Sequence, residues 1–323
     1  MQDGCGRTAD YLRVSLTDRC NLRCVYCMPA TGIQTLPHEQ ILTLEEVTRL
    51  ARCFALLGVR KIKLTGGEPL VRLGVVRLVR ALREISGVEQ ITLTTNGVLL
   101  AQHLDALLEA GLDAVNISLD TLDPARFLRI TRFEGLERVL DAVDRAAAAG
   151  LPVKINCVPI SGLNDEDIVP LAGLARGRVR AVRFIELMPI GCGSAYTAVP
   201  FDTLRAELEA AYGALTPYDG VLGNGPARYV SLDGFEGKIG FIRAVTDCFC
   251  ADCNRVRLSA DGDFKPCLYQ RAKLNLRDLL RTGADDETIC ARIREQLRNK
   301  PEGHRFGRVQ ADADTRYMAS IGG

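Results

Sequence analysis

The sequence has almost no net charge, no long apolar run and only three histidines. Its 41 basic and 40 acidic residues give a formal net charge of +1, so no general attraction to nucleic acid or to acidic membranes is expected. No segment approaches the roughly 20 apolar residues that span a bilayer. Residues 1–17 mix acidic with basic side chains and lack the apolar core of a secretory signal. We therefore expect a soluble protein of the cytoplasm.

Cysteine, by contrast, is abundant. The chain has 12 cysteines among 323 residues, and six of them fall into two short groups. A disulfide framework is not expected in a chain of this length without a secretory signal. In a reducing compartment, clustered thiolates more often bind metal or perform redox chemistry. The other cysteines receive no role, and Cys53 and Cys290, within predicted helices, are typical of small buried apolar groups.

Strands and helices alternate through the first two thirds of the sequence. Strands are predicted at residues 11–16, 61–64, 90–94, 114–119, 153–158 and 182–186, and the clearest helices at residues 43–58, 99–110 and 136–149. This alternation predicts an α/β fold with a parallel sheet flanked by helices. Six βα units are too few to close an eight-stranded barrel, so we expect an open, partial barrel of the TIM type. A doubly wound sheet is the alternative that periodicity leaves open.

The alternation ends near residue 190. A predicted helix at residues 201–212 is followed by a glycine-rich stretch, and short strands at residues 238–242 and 255–258 surround the second cysteine group. We therefore predict two regions. Residues 1–190 form the partial barrel, and residues 191–323 form a C-terminal extension that packs on it.

The first cysteine group, Cys20, Cys24 and Cys27, directly follows the first predicted strand. Soft thiolates favour iron–sulfur centres or zinc over harder cations. No fourth cysteine or histidine lies nearby, and an open coordination position is typical of a site that performs chemistry. A zinc site with a distant fourth ligand is the alternative.

This spacing, with Tyr26 directly before Cys27, resembles the radical S-adenosylmethionine (SAM) enzymes. The resemblance implies that the three cysteines hold a four-iron, four-sulfur cluster (4Fe-4S) whose open iron binds SAM. Reductive cleavage of SAM then gives a 5′-deoxyadenosyl radical that removes hydrogen from a substrate. The family adopts a partial six-unit βα barrel, in agreement with the fold that the strand pattern predicts.

Polar residues follow the predicted strands, where barrels of this type place their functional side chains. Thr65-Gly66-Gly67-Glu68-Pro69 resembles the family segment that contacts the SAM amino group. Similar polar residues occur at Thr94 to Gly97, Asn116 to Asp120, Lys154, Asn156 and Glu186 to Pro189. Residues of these types are also common turn formers and helix caps. Their occurrence at successive strands favours a binding site.

The second cysteine group consists of Cys250, Cys253 and Cys267. Its spacing fits zinc and iron–sulfur equally, and Cys248 would be the fourth ligand of a closed zinc site. Arg255 and Arg257 alternate along the following strand, so both guanidinium groups share one face, an arrangement suited to phosphate.

The two cysteine groups, the segment from Phe249 to Arg257 and the terminal Gly322-Gly323 together resemble the GTP 3′,8-cyclase family of molybdenum cofactor biosynthesis. The resemblance implies a lyase with two 4Fe-4S clusters, the second held by Cys250, Cys253 and Cys267. Hydrogen removal from C3′ of GTP and C3′–C8 bond formation then give 3′,8-cyclo-7,8-dihydro-GTP. It also implies an electron donor, a hand-off to cyclic pyranopterin monophosphate synthase and a homodimer.

The resemblance also assigns roles to individual residues. Tyr26, Gly67, Ser118 and Met188 are expected to line SAM. The residues expected to surround GTP are Arg13, Lys63, Thr94, Lys154, Arg255, Val256 and Arg257. Gly322 and Gly323 are expected to reach back into the active site as catalytic residues, together with the cysteines of the first group.

Two positions depart from the family pattern. Lys63 stands where the family usually has arginine, and lysine lacks the bidentate fork of a guanidinium group. Cys248 is an extra thiol, which we expect not to be a cluster ligand. Two other functions compete with the cyclase: a peptide-modifying radical SAM enzyme with an auxiliary cluster, and a zinc-binding regulatory protein without enzymatic activity.

Overall fold

The structure is a computed structural model that describes residues 1–304, 306 and 314–322. Its strands are β1 (Tyr11–Ser15), β2 (Lys61–Thr65), β3 (Gln90–Thr95), β4 (Ala114–Ser118), β5 (Val153–Cys157), β6 (Ala181–Ile185), β7 (Thr216–Tyr218), β8 (Arg228–Ser231), β9 (Lys238–Ile242), β10 (Arg255–Leu258), β11 (Asp263–Lys265) and β12 (Leu274–Asn275). Its helices are α1 (Leu44–Leu56), α2 (Val75–Arg83), α3 (Leu100–Glu109), α4 (Pro124–Thr131), α5 (Leu136–Ala148), α6 (Ile168–Gly173), α7 (Phe201–Tyr212), α8 (Leu276–Arg281), α9 (Asp286–Arg298) and α10 (Met318–Ile321).

All of these strands belong to one sheet, in the order β12-β11-β10-β1-β2-β3-β4-β5-β6-β9-β8-β7. The six strands β1 to β6 are parallel and follow one another in chain order. A doubly wound sheet would reverse its strand order at a switch point, so that alternative is wrong. The expected open, partial barrel is confirmed.

The C-terminal residues extend this sheet at both edges. Strand β10 pairs in parallel with β1, and strand β9 pairs in parallel with β6. Short antiparallel strands, which the sequence analysis did not predict, then continue the sheet outward on each side. The extension therefore builds part of the barrel wall as well as packing on it, and the division at residue 190 stays a prediction.

Alternation along the strands separates an apolar outer face from a polar inner one. In β1, Leu12 and Val14 are fully buried in the core beneath the helices, whereas Arg13 faces the inside of the barrel. Helix α1 begins with a capping box: Thr43 accepts the Glu46 N–H at 3.1 Å and donates its own backbone N–H to the Glu46 carboxylate at 2.8 Å.

The extension also contacts the helical layer. Phe264 of β11 lies against Phe54 of α1, with ring centroids 5.5 Å apart, and both are fully buried. Arg281 of α8 pairs with Glu46 of α1 at 2.8 Å. No helix in the described part of the chain is long and apolar enough to cross a membrane.

Candidate active site

The inner face of the barrel encloses a cavity of about 390 Å³. Sixteen of the predicted site residues line it: Arg13, Cys20, Cys24, Tyr26, Cys27, Lys63, Gly67, Thr94, Ser118, Lys154, Met188, Cys250, Cys253, Arg255, Arg257 and Cys267. Both cysteine groups, 223 residues apart from Cys27 to Cys250, thus reach one cavity. The structure therefore assembles a single site from the two regions.

Three predicted residues stand outside this lining. Val256 alternates with its arginine neighbours and is fully buried in the apolar core, so its side chain does not face the cavity. Gly322 lies beside the site, where its carbonyl accepts a hydrogen bond from Arg257 Nη1 at 2.9 Å. Gly323 lies outside the described residues.

The first cysteine group occupies the loop after β1. Burial raises the pKa of Cys20 to about 11 and that of Cys27 to about 12, and it raises the pKa of Cys24 well above its usual range. Buried thiols of this kind ionise when a metal centre supplies positive charge. All three cysteines line the cavity. Three thiolates from one loop are soft ligands of the kind that iron–sulfur clusters use, so the donor set fits a 4Fe-4S cluster.

The glycine turn after β2 closes tightly on this loop. A Cβ atom at Gly67 would overlap the Arg19 carbonyl oxygen, and the Gly67 N–H donates to Thr17 O at 2.7 Å. The turn therefore needs glycine, because the two backbone segments touch.

Glu68, next to this turn, joins the ends of two strands. Its carboxylate accepts the Thr95 hydroxyl and the Asn96 N–H, each at 2.7 Å, and burial raises its pKa to about 7. Asn96 in turn donates to Asn21 Oδ1 at 2.7 Å, within the first cysteine loop. Glu68 belongs to the segment that the resemblance relates to the SAM amino group, but it was not among the individual site residues predicted from the sequence.

Tyr26 is fixed by a strand-end carboxylate. Its hydroxyl donates to Asp120 Oδ2 at 2.7 Å, and Asp120 Oδ1 accepts the Val158 N–H at 2.9 Å. Burial raises the pKa of Asp120 to about 6. The aromatic residue of the cysteine motif is thus held at Asp120, just beyond the end of β4.

A cluster of buried cations lines another part of the cavity. Burial, with the nearby charge of Arg183, lowers the pKa of Lys154 to about 7 and that of Lys63 well below its usual range. Burial and Arg13 likewise lower the pKa of Arg257. No ion pair between described residues involves the buried Lys63, Lys154, Arg183 or Arg257. Buried charges without counter-ions are unfavourable, so this cluster suits a polyanion.

Arg183 is a cavity residue that the sequence analysis missed. It lies in β6 opposite Asn156, and its Nη2 donates to Asn156 Oδ1 at 2.5 Å. Its Nε is buried and meets no hydrogen-bond partner among the residues that the structure describes. The sequence could have identified it, because it is the only charged residue in the apolar strand Ala181–Ile185. Alternation predicts that its side chain points to the opposite face from its valine and phenylalanine neighbours, and so into the barrel.

The second cysteine group has a more positive environment than the first. Although burial raises the pKa of Cys253, the charges of Arg255 and Lys300 lower it to about 7. Arg255 Nη2 lies 3.7 Å from Cys253 Sγ, and its guanidinium group lies 4.4 Å from the centre of the Phe249 ring. A thiolate is therefore accessible near neutral pH at Cys253, as soft-metal ligation requires.

Comparisons with known proteins agree with this geometry. The model of the Radical SAM superfamily matches residues 14–175, and that of Molybdenum Cofactor Synthesis C matches residues 180–306. The GTP 3′,8-cyclase of Pelotomaculum thermopropionicum is 46% identical over 327 residues, and that of Clostridium perfringens SM101 is 43% identical over 323 residues. Each alignment covers 100% of both chains.

Among solved structures, Streptococcus suis SuiB bound to S-adenosylmethionine superposes with a TM-score of 0.60 at 16% identity. The match covers 88% of this chain and 68% of that one. At this identity the likeness shows the fold alone, which is that of the partial barrel described above.

Proposed function

This chain belongs to the GTP 3′,8-cyclase family of the radical SAM superfamily, and we propose that its cavity residues perform that family's reaction in the roles set out here. The chain is a radical SAM cyclase of molybdenum cofactor biosynthesis that uses a 4Fe-4S cluster and SAM. When bound, these groups would supply the radical that takes hydrogen from C3′ of GTP. C3′ then bonds to C8, and one electron from the external donor with one proton from solvent completes 3′,8-cyclo-7,8-dihydro-GTP.

Cys20, Cys24 and Cys27 hold the cluster that serves SAM. Tyr26, Gly67, Ser118 and Met188 line the cavity and form the SAM side of the site. The Tyr26–Asp120 hydrogen bond fixes the cysteine loop to the end of β4, and the Glu68 contacts fix the turn after β2 to the end of β3. Rigid placement of this kind orients the two reactants before chemistry.

The cation cluster binds the triphosphate of GTP. Its position in the cavity is the observation on which the assignment of GTP as substrate rests. Arg13, Lys63, Lys154, Arg183, Arg255 and Arg257 all line the cavity. Asn116 Nδ2 donates to Thr94 Oγ1 at 3.4 Å, and both residues lie on the same inner face of the barrel. Binding energy from the phosphates holds the ribose at a fixed distance from the radical source. A peptide substrate offers no comparable anion for these cations, so the substrate fits GTP better than a peptide.

The second cysteine group holds a second 4Fe-4S cluster, with Cys250, Cys253 and Cys267 as ligands. The three thiols line the same cavity as the cations, so a cluster held there would offer a binding position for the guanine base. Arg257 hydrogen-bonds the Gly322 carbonyl, which is consistent with a role for the C-terminal glycines in the site. An external electron donor, transfer of product to cyclic pyranopterin monophosphate synthase, a homodimer and a cytoplasmic location complete the proposal.

The test uses the anaerobically reconstituted chain with GTP deuterated at C3′. We expect deuterium to appear in 5′-deoxyadenosine and a cyclised nucleotide to accumulate. The matched variants are Cys24→Ala, which should abolish SAM cleavage, and Cys5→Ala, an exposed thiol whose loss should change nothing. Cleavage of SAM without deuterium transfer would reject the substrate assignment in favour of another radical SAM reaction.

Iron and zinc analysis tests the second cluster separately. About eight irons per chain with negligible zinc is the expected result. About four irons with one zinc would leave the radical chemistry at Cys20 to Cys27 intact, but it would make the Cys250 to Cys267 group a structural site.

A further inference from the structure

Cys248, the extra thiol before the second cysteine group, lies beside two other metal-binding side chains. The donor atoms of Cys248, Cys250 and His304 all lie within 4.8 Å of one another. Tetrahedral zinc has bonds of about 2.3 Å to sulfur and about 2.0 Å to nitrogen, which place neighbouring donors about 3.5 to 4 Å apart. The trio is thus close to the geometry of one ion. Neither Cys253 nor Cys267 belongs to it.

The chain segments that carry these donors are tied together by Arg7. Its Nη1 donates to Cys250 O at 2.7 Å and to Glu302 O at 2.9 Å, while Nη2 donates to Pro301 O at 2.6 Å. Asp3 holds the guanidinium group through a buried ion pair at 2.6 Å. Hydrogen bonds behind the ligands fix their backbone and so preorganise a metal site.

The donor set selects a soft or borderline cation. Two thiolates and an imidazole suit zinc and do not suit calcium or magnesium. His304 Nε2 is among the buried side-chain atoms without a hydrogen-bond partner in the described part of the chain, and Nδ1 accepts the Phe306 N–H at 3.4 Å. Cys248 is exposed, which gives an ion an entry route and leaves a fourth position for water.

We propose that Cys248, Cys250 and His304 bind one Zn²⁺ ion in the cluster-free protein, and that this ion and the second cluster exclude each other at Cys250. Binding converts two thiols to thiolates and releases their protons to solvent. The zinc site itself stands on the geometry above, whereas the competition rests on the proposed function of Cys250 as a cluster ligand.

Cobalt titration of the cluster-free protein tests the site directly, because tetrahedral Co²⁺ thiolates have an intense visible spectrum. All arms carry Cys20→Ala, Cys24→Ala and Cys27→Ala to remove the first cysteine group. Cys248→Ser should then weaken Co²⁺ binding at least about tenfold and remove one sulfur from the spectrum. His304→Gln should weaken binding as well, and Cys253→Ser and Cys5→Ser should leave it unchanged. Equal weakening by Cys253→Ser, or no weakening by Cys248→Ser, would overturn the proposal.

Cluster loading tests the competition. Protein given one equivalent of Zn²⁺ before reconstitution should incorporate about four irons in place of about eight, and Cys248→Ser should restore about eight. About eight irons in zinc-treated wild-type protein would contradict the exclusion. About four irons with and without zinc would instead show that the second cluster never forms. That result would count against the proposed function while the cobalt titration still decided the zinc site.

Discussion

Lys154 shows at the scale of one residue how this cavity is prepared for an anion. It is buried, and together with the charge of Arg183 this burial lowers its pKa to about 7. A bound triphosphate would supply the missing negative charge and raise the pKa again. Lys154 Nζ donates to the Leu222 carbonyl, so a phosphate that pairs with this amine must compete with this contact.

We expect GTP binding to take up protons at pH 8, where Lys154 is largely neutral before binding and charged after it. At pH 6 the lysine is already charged, and uptake should be small. Calorimetry at pH 8 in two buffers with different ionisation enthalpies measures the uptake. Lys154→Met should reduce it, whereas Lys273→Met, an exposed lysine, should not. Equal binding enthalpies in the two buffers at pH 8 would count against a titrating lysine.

Lys63 provides a second prediction at the residue scale. It pairs in register with Arg13 and is buried, and its pKa is lowered well below its usual range, first by burial. An arginine stays charged in such a site and offers two parallel hydrogen bonds to phosphate. Lys63→Arg should therefore lower KM for GTP by up to about tenfold, or ~1.4 kcal/mol, with kcat unchanged.

Steady-state kinetics with the purified, reconstituted variants separates KM from kcat. Lys63→Met serves as the opposite control and should raise KM. If Lys63→Arg instead lowers kcat at constant KM, the lysine acts in the chemical step and not in phosphate binding.

At the scale of elements, the connection between β7 and β8 forms part of the cavity wall. Gly223 to Pro226 line the cavity, and Asn224 Nδ2 donates to Gln90 Oε1 at the start of β3. Gly223 has a φ of +110°, and a Cβ atom there would lie 2.6 Å from Lys154 Nζ. The glycine thus permits both the backbone conformation and the approach of the lysine.

Gly223→Ala should displace Lys154 and raise KM for GTP about tenfold. The matched control is Gly234→Ala in the β8–β9 turn, where φ is +72° and nothing lies within 4 Å of the added Cβ. Both variants carry the backbone penalty of a positive φ, but only one reaches the lysine. Thermal unfolding and GTP kinetics of the two variants check this, and equal effects on KM would show that strain alone is responsible.

The same elements show how far the sequence can be interpreted. The first six strands were predicted to within one residue at each end because polar and apolar positions alternate in them. The same alternation places Val256 away from Arg255 and Arg257, so its assignment to the substrate came from the family resemblance alone. Strands β7 and β11 span only three residues each, too few for any periodicity to identify them.

The pairing of strands across the sheet could not be predicted from the sequence. Nothing in local patterning indicates that β10 lies beside β1, yet this pairing places Arg257 opposite Arg13. Alternation along the strands identified Lys154, Arg255 and Arg257, whereas Arg13 and Lys63 came from the family resemblance. Their convergence is a property of the sheet order. The zinc trio was missed for the same reason, because His304 is 54 residues from Cys250 and meets it only in the folded chain.

At the scale of the whole molecule, the two regions build one active site and share one sheet. Gly322, with a φ of +74°, sits where a Cβ atom would lie 2.7 Å from Ser15 Cβ, so the end of the described chain packs against the first strand. Both edges of the six-stranded barrel also pair with C-terminal strands. Without the extension those edges would be unpaired, which disfavours independent folding of residues 1–190.

We therefore expect the metal-free chain to unfold in one cooperative transition rather than two. Phe264→Ala, which removes the buried ring against Phe54, should cost about 3–5 kcal/mol and shift the entire transition to lower temperature. Leu73→Ala, at a side chain that is 91% exposed, is the control and should shift nothing. Calorimetry provides the measurement, through agreement between the calorimetric and van't Hoff enthalpies. If only part of the heat absorption moves in Phe264→Ala, the extension unfolds on its own, and the barrel does not depend on β9 and β10 for its edges.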